Sequence, residues 1–161
     1  DLRIDNNVSS TLQEILHYLH SQKNIEWSLI NIAAKKNKIS REIFRTHDYS
    51  LVRAYYFPIR GVGLVWSRQG AHDFLKMAQN PCLPVDTFFQ NWLIKNGKGL
   101  SIWPPLVRPA GLDSDILGTV ATERVRRKQK ENRDFSFFMK KQLRLLKNNI
   151  LAYINFLSFK S

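Results

Sequence analysis

Apolar and polar positions along the chain follow two periods, and the switches between them outline its elements. In "STLQEILHYLHS", residues 10–21, Leu12, Ile15, Leu16 and Leu19 recur at i, i+3, i+4 and i+7, which predicts an amphipathic helix. Ser10 and Gln13 have the spacing of a capping box at its start. The next segment, "IEWSLINIAA", is β-rich and almost continuously apolar, as a strand covered on both faces is. "KKNKISREIFRTHD", residues 35–48, is polar and basic and is expected to be a surface connection. "YSLVRAYYFP" predicts a strand that Pro58 stops.

A strand, a tight turn and a helix follow in "RGVGLVWSRQGAHDFLKMAQN". Gly61 and Gly63 flank the start of the strand, Ser67 is placed to N-cap the helix, and Ala71, Phe74, Leu75 and Ala78 form one helical face. The glycines precede the strand instead of following it, so they do not make a dinucleotide-binding fingerprint. Pro81 and Pro84 hold the chain extended before "DTFFQNWLIKNG", a short helix with Phe88, Phe89, Trp92 and Leu93 inward and Gly97 near its end. "GLSIWPPLVRPAG" gives a short strand and a proline-rich loop. From residue 122 a solvated basic stretch, "TERVRRKQKENRDF", leads into a long amphipathic pattern. Met139, Leu143, Leu146, Ile150, Ile154 and Leu157 lie on one stripe, with Lys141, Arg144, Asn148 and Asn155 opposite. Two regions are expected, residues 1–121 and a basic helical tail over 122–161.

Composition narrows the classes. With 161 residues, 43% hydrophobic and 12% aromatic, the chain can bury a real core, and a compact α/β unit is expected. Arg53, Arg60 and Arg68 interrupt the most apolar region, so no window approaches the roughly 18 apolar residues of a membrane span. The opening "DLRIDNNVSS" lacks an initiator Met, a basic region and an apolar core, so no signal peptide is read from it, and an upstream portion is expected. Cys82 is the one cysteine, which excludes an internal disulfide and a multi-cysteine zinc site and fits a reducing cytoplasm. It reads as a small apolar filler or a reactive thiol, with no histidine beside it in sequence. Net charge is +12, and residues 124–161 carry 11 basic and 2 acidic side chains, net +9, of that total.

The candidate chemistry centres on Asp86, the one acid between Asp73 and Asp113. It has two compatible readings: an N-cap for the helix that starts here, or a carboxylate partly desolvated by Pro84, Val85, Phe88 and Phe89 and able to act as a general base. At this point the ordered set "GVGLVWSRQGAHDFL", "LPVDTFFQNWL" and "LSIWPPLVRPAGLDSDI" resembles the C-terminal half of glycosyltransferase family 25, the lipooligosaccharide galactosyltransferase family. The matching positions are Gly61, Gly63, Ser67, Ala71, Pro84, Val85, Asp86, Pro105, Ser114 and Ile116, and "DLRI" resembles the end of the family's Glu-Asp-Asp motif, with Asp1 as its last acid. Val62, Leu64 and Trp66 depart from the family's Thr, Tyr and Ile. The resemblance covers most of residues 1–120.

That resemblance implies a GT-A-like α/β fold with a mixed sheet flanked by helices, transferring a hexose, usually galactose, from a UDP-sugar donor to a lipid-linked glycan acceptor. It implies Asp1 as a ligand of a divalent cation, Mn²⁺, and Asp86 as the base that takes the acceptor's proton. It also implies a preceding half that holds the nucleotide-binding units. Gly61 and Gly63 would let backbone approach the sugar, or simply make a tight turn. Ser67 is a cap or a substrate ligand, and Arg68 is solvated or bound to phosphate. Trp66 and Trp103 stack on sugar or fill the core, and Ser114 with Asp115 lines the donor site or forms an exposed turn.

The tail has its own alternatives: a helix lying on an anionic membrane surface at the inner face of a bacterial inner membrane, or one packing its stripe onto the domain. A rival class is a non-enzymatic nucleic-acid-binding module, suggested by the cluster Arg124, Arg126, Arg127, Lys128 and Lys130. Confinement of the charge to the tail and the lack of a recognition motif weigh against it. A third reading is an inactive remnant of the transferase.

Overall fold

The computed structural model describes residues 2–59, 61–78, 83–109 and 135–158. Asp1, Cys82, Ser114, Asp115 and the basic run 124–134 lie outside the described residues. Within them the protein is mixed α/β, with seven strands and four helices.

The strands are β1 (Leu2–Ile4), β2 (Leu29–Asn31), β3 (Ser40–Arg45), β4 (Ser50–Ala54), β5 (Leu64–Trp66), β6 (Gly99–Trp103) and β7 (Val107–Pro109). Five of them form one mixed sheet in the order β3-β4-β6-β2-β5. β2 and β6 run parallel, and the other pairs in this sheet are antiparallel. β1 and β7 make a separate antiparallel ribbon that leaves from the end of β2, where Leu106 and Val107 both donate their backbone N–H to the Ile32 carbonyl. The helices are α1 (Val8–Ser21), α2 (Arg68–Met77), α3 (Val85–Asn96) and α4 (Phe135–Ser158).

Period-two alternation divides the core between the sheet's faces. Ile30, Leu51, Leu100 and Ile102 pack with Ile15 and Leu19 of α1, while Leu29, Ala54 and Phe57 pack with Phe89 and Leu93 of α3 and Phe74 of α2. The result is three layers: α1, the sheet, then α2 and α3. Gly99 permits this closeness, because a Cβ there would meet the Phe57 ring at 2.5 Å.

Several elements differ from what the pattern predicts. Residues 35–48 are not only a connection: they contain β3, an edge strand with a bulge between Glu42 and Phe44. Ile39, Ile43 and Phe44 bring apolar surface to the core, with Phe44 stacked 4.1 Å from Tyr18, while the other positions are polar or charged, so the segment reads as polar. α1 begins at Val8, after an Asp5 carboxylate that accepts from the Asn7 backbone N–H at 2.9 Å, and Ser10 therefore sits inside the helix instead of capping it. In α2, Gly70 and Phe74 face the sheet while Leu75 is exposed. Gly97 ends α3 in the left-handed conformation expected of a C-terminal glycine.

For the last helix, one of the two alternatives read from its pattern does not hold. Its apolar stripe does not pack onto the domain: Leu143, Leu146, Ile150, Ile154 and Leu157 are all exposed. The opposite face docks instead. Asn148 and Ala152 are buried, Asn148 donates to the Asn91 side chain at 3.3 Å, and Asn155 donates to the Ile94 carbonyl in the last turn of α3. That carbonyl has no intrahelical partner, so Asn155 supplies what the helix end lacks. Phe156 adds an edge contact to Tyr55 at 5.5 Å, and Arg41 lies over its ring.

Candidate active site

β2 and β6 point their carboxyl ends the same way, and α3, which leads into β6, begins at that same edge. The residues around this edge are positioned by buried amides. Asn31, fully buried at the end of β2, accepts from Ala33 N–H at 2.9 Å and donates to the Pro58 carbonyl at 3.4 Å. Gln90 of α3 donates to the Phe57 carbonyl at 2.8 Å, and the Ser101 hydroxyl donates to the Asn31 carbonyl at 3.3 Å. Buried polar groups of this kind are costly unless paired, so together they fix the path of the chain at Phe57–Pro58. That path carries Gly61 and Gly63.

The Gly63 carbonyl accepts from Ile32 N–H at 3.0 Å, and a Cβ on Gly63 would press on the Ile32 side chain at 2.7 Å. Its lack of a side chain is used for packing against the strand end. Gly61 is exposed and lies against Asp86: a Cβ there would sit 2.5 Å from Oδ1. The structure thus brings together two of the residues singled out from the sequence, Gly61 and Asp86, beside the carboxyl ends of the parallel pair.

Asp86 is not an N-cap. Pro84 occupies the cap position, α3 starts at Val85, and no side chain caps the helix. Asp86 is the second helical residue, where a carboxylate interacts favourably with the positive end of the helix dipole. It is half-buried, and among the described residues its carboxylate has no hydrogen-bond or ion-pair partner. A partly desolvated carboxylate on a rigid element, open on one side, has the arrangement that proton abstraction from an incoming group requires.

The other candidates separate from this edge. Ser67 caps α2, accepting from Gly70 N–H at 2.9 Å while donating to the Trp27 carbonyl at 2.7 Å, so its hydroxyl is committed to holding α2 against β2. Gly70 allows that approach, since a Cβ would collide with the Ser28 backbone. Trp66 pairs with Leu29, at the amino end of β2, and its ring packs on Phe74, Phe89 and Trp92 at 5.1–6.3 Å. It is part of an aromatic core. Trp103 differs: it ends β6 on the carboxyl side and is 43% exposed, so an apolar ring is presented near the strand ends that carry the site. Asp1, Ser114 and Asp115 lie outside the described residues.

Among the described residues no three His, Cys, Asp or Glu side chains gather, and Asp86 is the carboxylate held against Gly61. The described donor set therefore does not fit a Mn²⁺ centre, and no step is assigned to one. Asn31, Gln90 and Ser101 were not singled out from the sequence. Their only signal was a polar residue inside an apolar run, as in "SLINIA".

A concavity of about 330 Å³ lies at the other end of the strands, lined by Glu26, Arg41, Arg53, Tyr55 and Lys98 among others. It is separated from Asp86 by the length of α3, about 16 Å at 1.5 Å per residue. Its cations are engaged: Lys98 pairs with Glu26 at 2.6 Å, and Arg53 donates to the Gly97 carbonyl at 2.8 Å. Glu26 is held below the usual carboxylate range, chiefly by its hydrogen bond to Lys98. This cluster joins strand ends.

No protein family, characterised protein or solved structure matches the chain.

Proposed function

We propose that the chain is the C-terminal part of a glycosyltransferase of the family 25 type, with a GT-A-like fold, moving a hexose from a UDP-sugar to a lipid-linked glycan. The observation that carries this reading is the half-buried carboxylate of Asp86, without a partner among the described residues, held against Gly61 at the carboxyl edge of the β2/β6 pair. Ligands of α/β sheets bind outside the carboxyl ends of parallel strands, where a carboxylate can meet them.

In the reaction, Asp86 Oδ accepts the proton of the acceptor hydroxyl as its oxygen forms a bond to the sugar's anomeric carbon. The bond from that carbon to the diphosphate oxygen breaks, and UDP leaves with the electron pair. α3 supports the base by its rigidity, and Asn31 and Gln90 hold the glycine loop that forms one wall. Trp103 offers an apolar face for the sugar ring. The divalent cation of this reading would rest on Asp1 and the portion before it.

The test is transfer itself. The full-length protein is incubated with UDP-hexoses and a lipid-linked glycan, and the product is detected as a one-hexose gain in mass. Transfer is expected. DNA binding that weakens steeply with salt, with no sugar transferred or UDP-sugar hydrolysed, would contradict the reading and favour the basic-module alternative.

A further inference from the structure

We infer that α4 is a membrane-surface helix, docked to the domain by the face that carries Asn148, Ala152 and Phe156 and presenting its outward apolar stripe to an anionic lipid surface. The inference stands on the geometry of α4 and is independent of the role given to Asp86.

An amphipathic helix of a globular domain ordinarily turns its apolar side inward. α4 packs Leu151, Ala152 and Phe156 on the domain but leaves its long apolar stripe outside. Leu146 and Ile150 are 57% and 51% exposed, while Asn148 and Ala152, on the other side, are 7% and 0% exposed. The outward stripe runs from Met139 to Leu157, about 27 Å at 1.5 Å per residue. Tyr153 lies within it, and Phe137 and Phe138 extend the exposed apolar surface at its start. A continuous exposed surface of this size marks an interaction site.

Charge identifies what covers it. α4 carries Lys140, Lys141, Arg144 and Lys147 and no acidic residue. At roughly 100° per residue, Lys140 and Lys147 border the stripe along the side of Leu143 and Ile154, where snorkelling side chains reach lipid headgroups. A second copy of this helix would bring like charges together without an acid to offset them. The helix also does not cross a membrane: no described helix is long and apolar enough. A helix with apolar side chains below, cations at the rim and a protein domain on its back fits the plane of an anionic interface. The preceding residues 124–134 add six basic side chains against two acidic ones, which strengthens the attraction.

The experiment is co-sedimentation of the full chain with vesicles of phosphatidylcholine alone and of equal parts phosphatidylcholine and phosphatidylglycerol. Binding to the mixed vesicles should exceed binding to neutral ones by at least tenfold and fall with salt. Lys140→Gln/Lys147→Gln should weaken it about thirtyfold, since each cation near the surface contributes about a fivefold factor. Leu146→Gln/Ile150→Gln should abolish it while leaving the unfolding midpoint unchanged, because both side chains are exposed. Equal binding to both vesicles, or full binding by the leucine–isoleucine variant, overturns the proposal. So does a wild-type dimer in sedimentation velocity that this variant converts to monomer, which would assign the stripe to a second copy.

Discussion

α1 and α4 carry the same kind of amphipathic periodicity and turn it in opposite directions. α1 buries Ile15 and Leu19 under the sheet and leaves Gln13, Glu14 and His17 in solvent. α4 buries Asn148 and Ala152 and leaves Leu146 and Ile150 outside. What differs is the receiving surface. The sheet offers α1 a continuous apolar face built from Ile30, Leu51, Leu100 and Ile102. α4 meets the Asn91 amide and the Ile94 carbonyl, which two asparagines satisfy and leucines would leave unpaired, beside a small apolar patch of Tyr55, Tyr56 and the Ile94 side chain that takes Leu151, Ala152 and Phe156. A periodic stripe therefore says which side chains segregate, and the partner surface decides which side docks.

The contrast can be broken most forcefully in the core. Ile15→Ala should cost about 2–5 kcal/mol in urea unfolding, whereas Leu146→Ala should stay within about 0.5 kcal/mol. Similar losses at the two positions would mean that the α4 stripe is covered. Next in size is the polar seam: Asn155→Ala removes the donor to Ile94 and should cost about 1–2 kcal/mol, with faster amide exchange over residues 135–158. Unchanged exchange there would show that the asparagine seam does not hold α4.

Ser67→Ala removes a cap, with an expected loss of about 1 kcal/mol and transfer activity retained. A selective fall in activity at unchanged stability would return Ser67 to the substrate. Gly61→Ala has the smallest thermodynamic effect, under about 1 kcal/mol, because it meets only the end of a movable side chain and its backbone needs no positive φ. Yet it must push the Asp86 carboxylate aside. If that oxygen serves the chemistry, turnover falls about a hundredfold, the scale of an ångström's misplacement.

The elements that obey a single strong period were legible in the sequence. The first helix, the strand before Pro58, the capped α2 and the glycine-ended α3 follow from spacing and from Ser67 and Gly97. β3 was hidden because an edge strand puts one face in water and therefore lacks an apolar run. The inverted docking of α4 was hidden because it depends on a carbonyl and an amide of another helix, which no local pattern announces. At the site, Asp86 stood out as an isolated acid, and Gly61 as a glycine without a helix to follow. Their contact, and the Asn31 and Gln90 amides that arrange it, arise only when residues far apart in the chain meet at the strand ends.

The most direct test of the central claim is turnover by Asp86→Asn in the proposed transfer assay, with the melting temperature measured on the same sample. The substitution keeps size and removes the proton acceptor. The account predicts a loss of about 10²- to 10⁴-fold in turnover with the fold intact, the usual contribution of a general base. Near-normal turnover with a lowered melting temperature would contradict it and leave Asp86 as a helix-stabilising charge alone.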